Sequence, residues 1–325
     1  MIALLLNEVQ VHIMRYILMT TVNPLSTVRQ DVEFKSDGVI CRAWLNYPAV
    51  TNNKNVPIVI MAHGFGGTRE MRLEQYAQRF NAAGMATLIF DYRHFGASDG
   101  YPRQCLIPER EVTDWHSALA YVRTLPNIDT QRIALWGTSF AGGLVVTVAA
   151  QDGKVAATVS QCPMLDGLAS ALEIARYAGV LSLLRVSTHG MFDVARSIVG
   201  APAHYIPTVA KEGEVGAMTS ADAFEAYLRL ALENSTMINQ VTARTGLLVP
   251  MFRPIRDVAK VKCPALLQIC TQDTVAPAAA AEKAAKKMPK AEVVRYPVGH
   301  FDVYFGEAFE LSVSDQFAFL QKHLL

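Results

Sequence analysis

From residue 56 onward, short β-branched and aliphatic runs alternate with longer stretches of helical periodicity, and this alternation constrains the fold more than any other feature. It is typical of a parallel sheet covered by helices. Six runs are predicted to be buried strands: 56–62, 86–90, 132–136, 156–160, 265–269 and 292–296. Five intervening stretches are predicted to be helices: 70–83, 109–123, 139–150, 278–287 and 305–323. We therefore predict an α/β fold with a doubly wound, mostly parallel sheet.

The alternation is interrupted once, where a long stretch replaces the single crossover helix that two neighbouring parallel strands need. We predict a core formed by residues 28–164 and 262–325, with a mostly helical cap inserted at 165–261. Within the cap, 168–186 and 221–239 have helical periodicity, while 201–216 is rich in Pro and Gly and is expected to be a loop.

Residues 1–27 precede the first strand-like pattern and are predicted to be an N-terminal leader. Asn7, Glu8 and Arg15 interrupt its apolar patches and no A-x-A cleavage site follows, so neither a signal peptide nor a membrane span is predicted. The leader is either an artefact of the start codon or a docking arm. A cytoplasmic location is expected, and the sequence leaves open whether the chain forms a homodimer.

Charge and cysteine usage exclude several classes of partner. Thirty basic and twenty-nine acidic residues give a net charge of +1 without a basic run, so nucleic acid is not expected as a partner. The five cysteines are scattered and show no C-x-x-C spacing. No H-E-x-x-H and no helix-opening G-x-G-x-x-G occurs. We expect a small-molecule substrate, no metal and no cofactor.

A nucleophile elbow is predicted at residues 137–143, Gly-Thr-Ser-Phe-Ala-Gly-Gly, with Ser139 as the nucleophile. The segment follows a predicted strand and opens a predicted helix, which is the context that an elbow requires. Ala141 stands where a second glycine is usual, but it is small enough for close packing of helix on strand. The alternative is a tight turn before a packed helix.

The literal pattern G-x-S-x-G occurs elsewhere, at residues 96–100, and would select Ser98. That segment lies several residues beyond the strand 86–90. It continues as Gly100-Tyr101-Pro102, which is a loop rather than a helix. The context therefore favours Ser139 over Ser98 as the nucleophile.

A glycine-rich turn at residues 63–67 follows the strand 56–62, at the same edge of the sheet as Ser139 if the strands are parallel. Glycines let backbone amides approach a ligand closely. The amide of Phe65, with that of Phe140, is predicted to form an oxyanion hole. The alternative is a turn that only reverses the chain, and His63 is expected to brace this loop rather than to transfer protons.

The acid and the base of a catalytic triad are predicted from the ends of two further strands. Asp273 follows the strand 265–269 and His300 follows the strand 292–296, so both should emerge at the carboxyl edge. A serine hydroxyl needs such a neighbouring base because it is a poor nucleophile by itself. Asp166 is the alternative acid, and a helix N-cap is the alternative role for Asp273.

Asp91 and Arg93 also end a predicted strand, that at 86–90. They are expected to pair with each other and hold the neighbouring loops. A catalytic role is not favoured for either.

Together these motifs resemble the α/β-hydrolase superfamily from residue 56 to the C-terminus. The blocks 61–70, 91–100, 135–143 and 297–304 are similar to esterase-like members near the dienelactone hydrolases and to acyl-peptidase and Xaa-Pro peptidase types. They are also similar to polyketide-shortening hydrolases that cleave C–C bonds. The resemblance implies an eight-stranded core and a cofactor-free acyl-enzyme mechanism. It implies the hydrolysis of an ester or a related bond.

We therefore expect a carboxylic-ester hydrolase that acts on a small to medium, mainly apolar substrate. C–C bond hydrolysis of a β-diketone or polyketide-like substrate and peptide or amide hydrolysis are the alternatives among enzymes. A binding protein that has lost turnover is the alternative from another class. The stretch 177–184 is apolar almost all round, so Leu181 and Leu184 are expected to line the substrate pocket. A plain interface between cap and core is the other interpretation.

Overall fold

The computed structural model describes residues 28–49, 55–232 and 235–325. The predicted leader, residues 1–27, lies outside the described residues. An eight-stranded sheet forms the centre of the molecule in the strand order β1-β2-β4-β3-β5-β6-β9-β10. Its strands are β1 (Val28–Ser36), β2 (Val39–Tyr47), β3 (Val56–Ala62), β4 (Ala86–Phe90), β5 (Ile128–Thr138), β6 (Ala157–Gln161), β9 (Ala265–Cys270) and β10 (Ala291–Tyr296).

The sheet is mostly parallel, as the sequence predicts. Strands β3, β4, β5, β6, β9 and β10 pair in parallel, whereas β2 pairs antiparallel with both β1 and β4. Strands β1 and β2 form a hairpin through Asp37 and Gly38, whose φ values of 45° and 81° suit a two-residue Asp-Gly turn. The carboxyl ends of the parallel strands therefore share one edge of the sheet.

Helices cover both faces of the sheet. Five helices pack on it: α1 (Leu73–Ala82), α2 (Pro108–Val122), α3 (Phe140–Asp152), α8 (Ala278–Ala285) and α9 (Gly306–Leu324). Helices α2, α3 and α8 belong to the core cluster on one face, and α1 and α9 to the cluster on the other. Every residue of β3, β4, β6 and β9 is buried, as expected for strands with both faces covered. The predicted doubly wound α/β fold is confirmed.

Helix α1 begins three residues later than the sequence predicts. Its N-cap residue Arg72 has φ 61°, which is left-handed and cannot belong to a right-handed helix. The helix therefore starts at Leu73.

Residues 165–261 lie between β6 and β9 and are called the insertion. It contains α4 (Gly167–Ala178), α5 (Val180–Ile198), β7 (Tyr205–Ile206), α6 (Ala223–Leu228), β8 (Val241–Thr242), α7 (Thr245–Leu248) and three short 3-10 turns. Strands β7 and β8 form a separate antiparallel pair.

Two predicted elements of the insertion are wrong in their extent. The predicted helix 168–186 is two helices, because Gly179 has φ 80° and ψ 158° and ends α4 before α5 begins. The predicted helix 221–239 is only the six-residue α6, since the chain turns away after Leu228 to reach β8. The predicted loop 201–216 is irregular apart from β7.

Candidate active site

Ser139 lies in the sharp turn between β5 and α3, with φ 57° and ψ −118°. A residue with a side chain rarely adopts this backbone conformation, so the surroundings must hold it there. The flanking glycines make the turn feasible. A Cβ atom on Gly137 would lie 2.2 Å from the Ala141 carbonyl oxygen, and one on Gly143 would lie 2.1 Å from that of Met164. The hydroxyl is thereby fixed at the carboxyl edge of the sheet.

The structure brings Ser139, His300 and Asp273 together although each comes from a different strand end. The Ser139 hydroxyl lies 2.9 Å from His300 Nε2, to which it can donate a hydrogen bond. His300 Nδ1 lies 2.6 Å from Asp273 Oδ2 on the opposite side of the ring. The side chains of His300 and Asp273 are both buried. An arrangement of this kind can activate a serine hydroxyl for attack on a carbonyl carbon.

Both carboxylate oxygens of Asp273 have partners. Oδ1 accepts hydrogen bonds from the amides of Val275 and Ala276 at 2.8 and 2.6 Å, while Oδ2 faces His300. These amides belong to the turn that leads into α8. Asp273 is therefore the partner of the histidine and is not a helix N-cap, because Pro277 occupies the N-cap position of α8 and the amides that Asp273 binds lie in the preceding turn.

Asp166, the alternative acid, has different partners. It accepts from the amides of Leu168 and Ala169 as the N-cap of α4, and it forms a two-pronged ion pair with Arg253, both contacts 2.8 Å. These contacts hold the pKa of Asp166 below its ordinary value even though burial acts to raise it. Asp166 therefore joins two segments of the insertion and does not contact His300 in the structure.

The electrostatic environment of His300 is dominated by two opposing effects. Burial disfavours the imidazolium and acts to lower its pKa, but the Asp273 carboxylate stabilises it and raises the pKa to about 9. The carboxylate thus makes His300 a stronger base. It also fixes the proton on Nδ1, which leaves Nε2 free to accept from Ser139.

The glycine-rich turn after β3 abuts the elbow. A Cβ atom on Gly64 would lie 3.0 Å from the Ser139 Cβ atom and 3.1 Å from the Thr138 carbonyl oxygen, so the two backbones meet closely. The rings of Phe65 and Phe140 are in edge-to-face contact with centroids 5.9 Å apart. Phe140 is the first residue of α3, where backbone N–H groups have no partner within the helix. The two residues of the predicted oxyanion hole thus line the same cavity as Ser139.

His63, which opens this turn, is fully buried, and burial lowers its pKa to about 4. Its Nδ1 atom lies 3.0 Å from the Gly64 carbonyl oxygen, and its ring packs edge-on against Tyr92. A neutral, enclosed imidazole in contact with its own loop fits a bracing residue.

The hydrogen-bond partners of Ser98 do not include Ser139, His300 or Asp273. Ser98 is buried, its hydroxyl donates to the Asp91 carbonyl oxygen at 2.7 Å, and it accepts from the Arg42 amide at 2.8 Å. The literal G-x-S-x-G pattern therefore lies in a loop that is hydrogen-bonded to β2 through Arg42.

The predicted pairing of Asp91 with Arg93 is wrong, because each has a nearer partner on another element. Asp91 accepts from the Arg69 amide at 2.7 Å, and Arg93 contacts Asp114 on α2 at 2.6 Å. The Arg93 guanidinium also donates to Ser36 at 2.6 Å. The two residues do hold neighbouring loops, but through separate networks.

Two cavities meet at Ser139. The larger, of about 860 Å³ including space open to solvent, lies between the elbow and the insertion. Its lining is mainly apolar, with Phe140 and Met164 from the core side and Ile174, Leu183, Val186 and Val249 from the insertion. The smaller, of about 400 Å³, is lined by residues that include His300, Tyr227 and Tyr304. Ser139 is therefore reached from two sides.

The prediction that Leu181 and Leu184 line the substrate pocket needs correction. Both side chains are exposed, by 60% and 58%, and neither lines either cavity. Helix α5 is apolar on two opposite faces, and the inward face carries Leu183 and Val186 instead. The apolar stretch therefore predicted correctly that this helix lines the cavity, but it predicted the wrong face of the helix.

Tyr227 is a functional candidate that the sequence analysis missed. It is buried on α6, and its hydroxyl donates a hydrogen bond of 3.0 Å to the Phe65 carbonyl oxygen. The insertion thereby contacts the loop whose amide is predicted to bind the oxyanion. No sequence signal marks this tyrosine, because the contact joins residues 162 positions apart.

The family assignment rests on a match to a whole-domain sequence model. The model described as "Alpha/beta hydrolase family" matches residues 59–311, which include the elbow, Asp273 and His300. The chain belongs to the alpha/beta hydrolase family. It is accordingly a hydrolase, and its sheet and helices are those of that fold.

Several relatives of this hydrolase align over nearly their full length. The quorum-quenching protein AidA of Acinetobacter baumannii strain MDR-ZJ06 is 41% identical over 90% of this chain and 94% of its own. The polyketide transferase af380 of Aspergillus fumigatus is 30% identical over 91% of this chain and 99% of its own. The crystal structure of the alpha/beta hydrolase GrgF from Penicillium sp. sh18 superposes with a TM-score of 0.76 at 26% identity, covering 91% of this chain and 99% of GrgF.

No group of three or more His, Cys, Asp or Glu side chains among the residues that the structure describes is arranged to hold a metal ion. None of the helices in the same residues is both long and apolar enough to cross a membrane.

Proposed function

We propose that this hydrolase cleaves carboxylic esters through an acyl-enzyme, with Ser139 as nucleophile, His300 as general base and Asp273 as the acid that orients the imidazole. The observation that carries the proposal is the continuous hydrogen-bonded line from the Ser139 hydroxyl through His300 to Asp273, at 2.9 and 2.6 Å. Serine hydrolases of unrelated folds use this arrangement.

In the first step Ser139 Oγ bonds to the ester carbonyl carbon while its proton passes to His300 Nε2. The carbonyl oxygen becomes an oxyanion, which the amides of Phe65 and Phe140 stabilise. The tetrahedral intermediate then expels the alcohol oxygen, which takes the proton from His300. Water, deprotonated by the same nitrogen, attacks the acyl carbon and releases the acid and the free serine.

The two cavities support a division of the substrate between them. The departing oxygen must lie near His300 to receive the proton, and His300 lines the smaller cavity. The larger cavity contains Ser139 and Phe140 but not His300, and its lining is mainly apolar. We therefore assign the larger cavity to the acyl group and the smaller one to the leaving group.

The insertion, residues 165–261, is proposed to act as a cap. It contributes Ile174, Leu183, Val186 and Val249 to the larger cavity, which lies directly against Ser139. In this proposal the insertion sets the length and polarity of the acyl group that can reach the serine. The preferred substrate is then an ester of a medium-length, apolar acid.

A second candidate function is acyl transfer to an acceptor other than water, or cleavage of a C–C bond in a polyketide-like substrate. Transfer is favoured by the polyketide transferase af380, which aligns over 91% of this chain. Transfer and ester hydrolysis share one acyl-enzyme, because only the group that attacks the acyl carbon differs. C–C cleavage forms an acyl-enzyme too, but the leaving group is then a carbon atom, which takes the proton from His300 in place of the alcohol oxygen. Product analysis in the presence of added alcohols and amines separates transfer from hydrolysis.

The proposal is tested by rapid mixing of the enzyme with p-nitrophenyl butyrate. An acyl-enzyme predicts that nitrophenol and a butyryl group on Ser139 appear together, the latter detected by mass spectrometry after acid quenching. Ser139→Ala should lose both signals, and Ser98→Ala should retain both. Turnover with no acyl group on Ser139 would refute the proposed mechanism.

A further inference from the structure

Helix α5 (Val180–Ile198) presents an apolar face to solvent, opposite the face that lines the larger cavity. Its exposed residues include Leu181, Leu184, Thr188, Met191, Ala195 and Ile198. Ile198 is 81% exposed. Single exposed apolar residues are ordinary on a protein surface, but a continuous stripe along a helix marks a contact surface.

The spacing of this stripe is regular. The six residues are separated by three, four, three, four and three positions, which is the a/d repeat of a coiled-coil seam. A seam of this kind is complementary to another helix that lies nearly parallel or antiparallel to it. The stripe therefore fits a helical partner better than an irregular one.

The seam is also broad enough for a stable interface. Val180, Phe192, Val194 and Val199 are exposed apolar residues that flank it. With the exposed fractions of these four and of the large members of the stripe, the face exposes on the order of 900 Å² of side chain, against about 800 Å² per partner in an interface of standard size. Two copies of this face would supply the area that a stable dimer needs.

The stripe on one α5 helix is complementary to the same stripe on a second α5 helix that runs in the opposite direction. If two α5 helices run antiparallel about a two-fold axis, Leu181 of one faces Ile198 of the other and Leu184 faces Ala195. Thr188 then faces Met191 across the centre. Two of these layers place a long side chain opposite a short one, which is how interdigitating cores are filled. Two-fold contacts of this type are the commonest in homo-oligomers.

The charges of α5 do not oppose such a pairing. Asp193 is buried on the inner side and paired with Arg244 at 2.6 Å. The Arg196 guanidinium lies over the Phe192 ring at 5.5 Å and donates to the Pro202 carbonyl oxygen. Arg185 is the other charged side chain of the helix, and it lies beside the stripe rather than in it.

We propose that this hydrolase is a homodimer in which the α5 helices of two copies pack antiparallel through Leu181, Leu184, Thr188, Met191, Ala195 and Ile198. The interface lies on the outer side of the helix whose inner side lines the larger cavity. Dimerisation would thus fix the position of the cavity wall in both copies, and it does not depend on the proposed chemistry at Ser139.

Sedimentation equilibrium of the full-length chain tests the assembly. The wild type is expected to be a dimer at micromolar concentration, and Leu184→Glu is expected to weaken dimerisation roughly a hundredfold or more, because it places two charges in an apolar seam. Leu311→Glu, a change at a 37% exposed leucine on α9, is the matched control and should remain dimeric. Circular dichroism checks that each variant is folded.

Three results would overturn the proposal. The first is a monomeric wild type, including one that binds anionic phosphatidylglycerol vesicles through this face. The second is a Leu184→Glu variant that is folded and still dimeric. The third is a dimer that is lost when residues 1–27 are deleted but survives Leu184→Glu, which would place the contact elsewhere.

Disulfide cross-linking tests the antiparallel orientation. The Leu181→Cys and Ile198→Cys variants should each fail to cross-link alone, since like positions would be ~25 Å apart along the helix axis. A mixture of the two should form the heterodimer after oxidation with copper phenanthroline. The five native cysteines are buried and should not compete. Cross-linking of each variant with itself would show parallel packing and contradict the proposed register.

Discussion

At the scale of single residues, the charge on Asp273 is expected to control both the rate and the pH dependence. Asp273→Asn should lower kcat roughly 10⁴-fold, as when the orienting acid is removed in other serine hydrolases. His300 must be neutral to accept the serine proton, and its pKa is raised by Asp273 against the effect of burial. The acid limb of the kcat/KM profile should therefore lie above 6.5 in the wild type and move to lower pH in the variant.

The matched change for this experiment is Asp166→Asn, which removes a charge that pairs with Arg253 and not with His300. It should leave the acid limb in place and cost much less activity. The reverse ranking of the two variants would assign the acid to the end of β6.

Tyr227 is expected to position the oxyanion loop from a distance. Tyr227→Phe removes the hydrogen bond to the Phe65 carbonyl oxygen, a loss of about 1 kcal/mol that corresponds to about a fivefold effect. Because the oxyanion is absent from the ground-state complex and develops only in the transition state that leads to the tetrahedral intermediate, kcat and kcat/KM should fall together while KM changes little. Tyr121→Phe on α2 serves as the control and should leave both constants unchanged. A change in KM alone would mean that Tyr227 shapes substrate binding instead.

The residues brought together at the site differ in how predictable they were. Ser139, Asp273 and His300 each follow a buried strand, so the rule that parallel strands end at one edge predicts their proximity. Tyr227 could not be found this way, because its contact with Phe65 depends on how the insertion folds back. Leu181 and Leu184 were assigned to the wrong face because, in a helix that is apolar on two faces, the spacing of apolar residues does not show which face is buried.

At the scale of elements, helices α4 and α5 are expected to limit acyl length. Each added methylene should contribute up to ~0.8 kcal/mol until the larger cavity is full, so kcat/KM should rise up to about fourfold per carbon and then fall. The measurement is a series of p-nitrophenyl esters from acetyl upward. A maximum at acetyl, or a flat series, would show that the cavity does not bind the acyl chain.

Two residues of α4 provide a matched pair for the same series. Ile174 lines the larger cavity, whereas Leu172 is exposed on the same helix. Ile174→Asp should flatten the dependence on acyl length, and Leu172→Asp should preserve it. Equal effects from the two variants would argue against a role of α4 in substrate selection.

A buried ion pair is expected to hold α5 to α7. Asp193 is fully buried, accepts two hydrogen bonds from the Arg244 guanidinium at 2.6 and 2.9 Å, and also accepts from the His204 amide. Asp193→Asn should lower the free energy of unfolding by about 3 kcal/mol near neutral pH, because it leaves a charge without its partner. Thermal unfolding followed by circular dichroism measures the difference.

The difference in stability between the wild type and Asp193→Asn is expected to depend on pH. Burial raises the pKa of Asp193, but the hydrogen bonds from Arg244 and the backbone amides lower it below the ordinary value of 3.8. The contribution of the ionised Asp193 to the free energy of unfolding is therefore present above pH 3.8 and is lost as the pH falls through the folded-state pKa. The gap in Tm between wild type and variant should shrink in acid. A constant gap would show that packing rather than charge is responsible.

The elements were predictable to the extent that they are buried in the sheet. The six parallel strands of the large sheet were predicted within a few residues, whereas β7 and β8 of the insertion were not predicted. Strands β3, β4, β6 and β9 are buried along their whole length, and a strand covered on both faces is a continuous apolar run. Strand β2 was missed, since Arg42 and Asn46 interrupt its pattern near the sheet edge. In the insertion, helix ends depend on local breaks such as Gly179, which periodicity does not reveal.

At the scale of the whole molecule, the sheet edge, the insertion and the proposed dimer face are arranged in layers. The sheet holds the strand ends that carry Ser139, Asp273 and His300, and the insertion closes the larger cavity above them. Helix α5 belongs to two of these layers, with Leu183 facing the cavity and Leu184 facing outward. Substrate selection and assembly are thus expected to meet in one helix.

The central claim is that Ser139 is the nucleophile of this enzyme, and covalent labelling tests it most directly. The wild-type enzyme is treated with a fluorophosphonate, digested and analysed by mass spectrometry to locate the modified residue. We predict a single phosphonylated serine at Ser139, complete loss of labelling in Ser139→Ala and full labelling in Ser98→Ala. Labelling that persists in Ser139→Ala, or that maps to Ser98, would contradict the account.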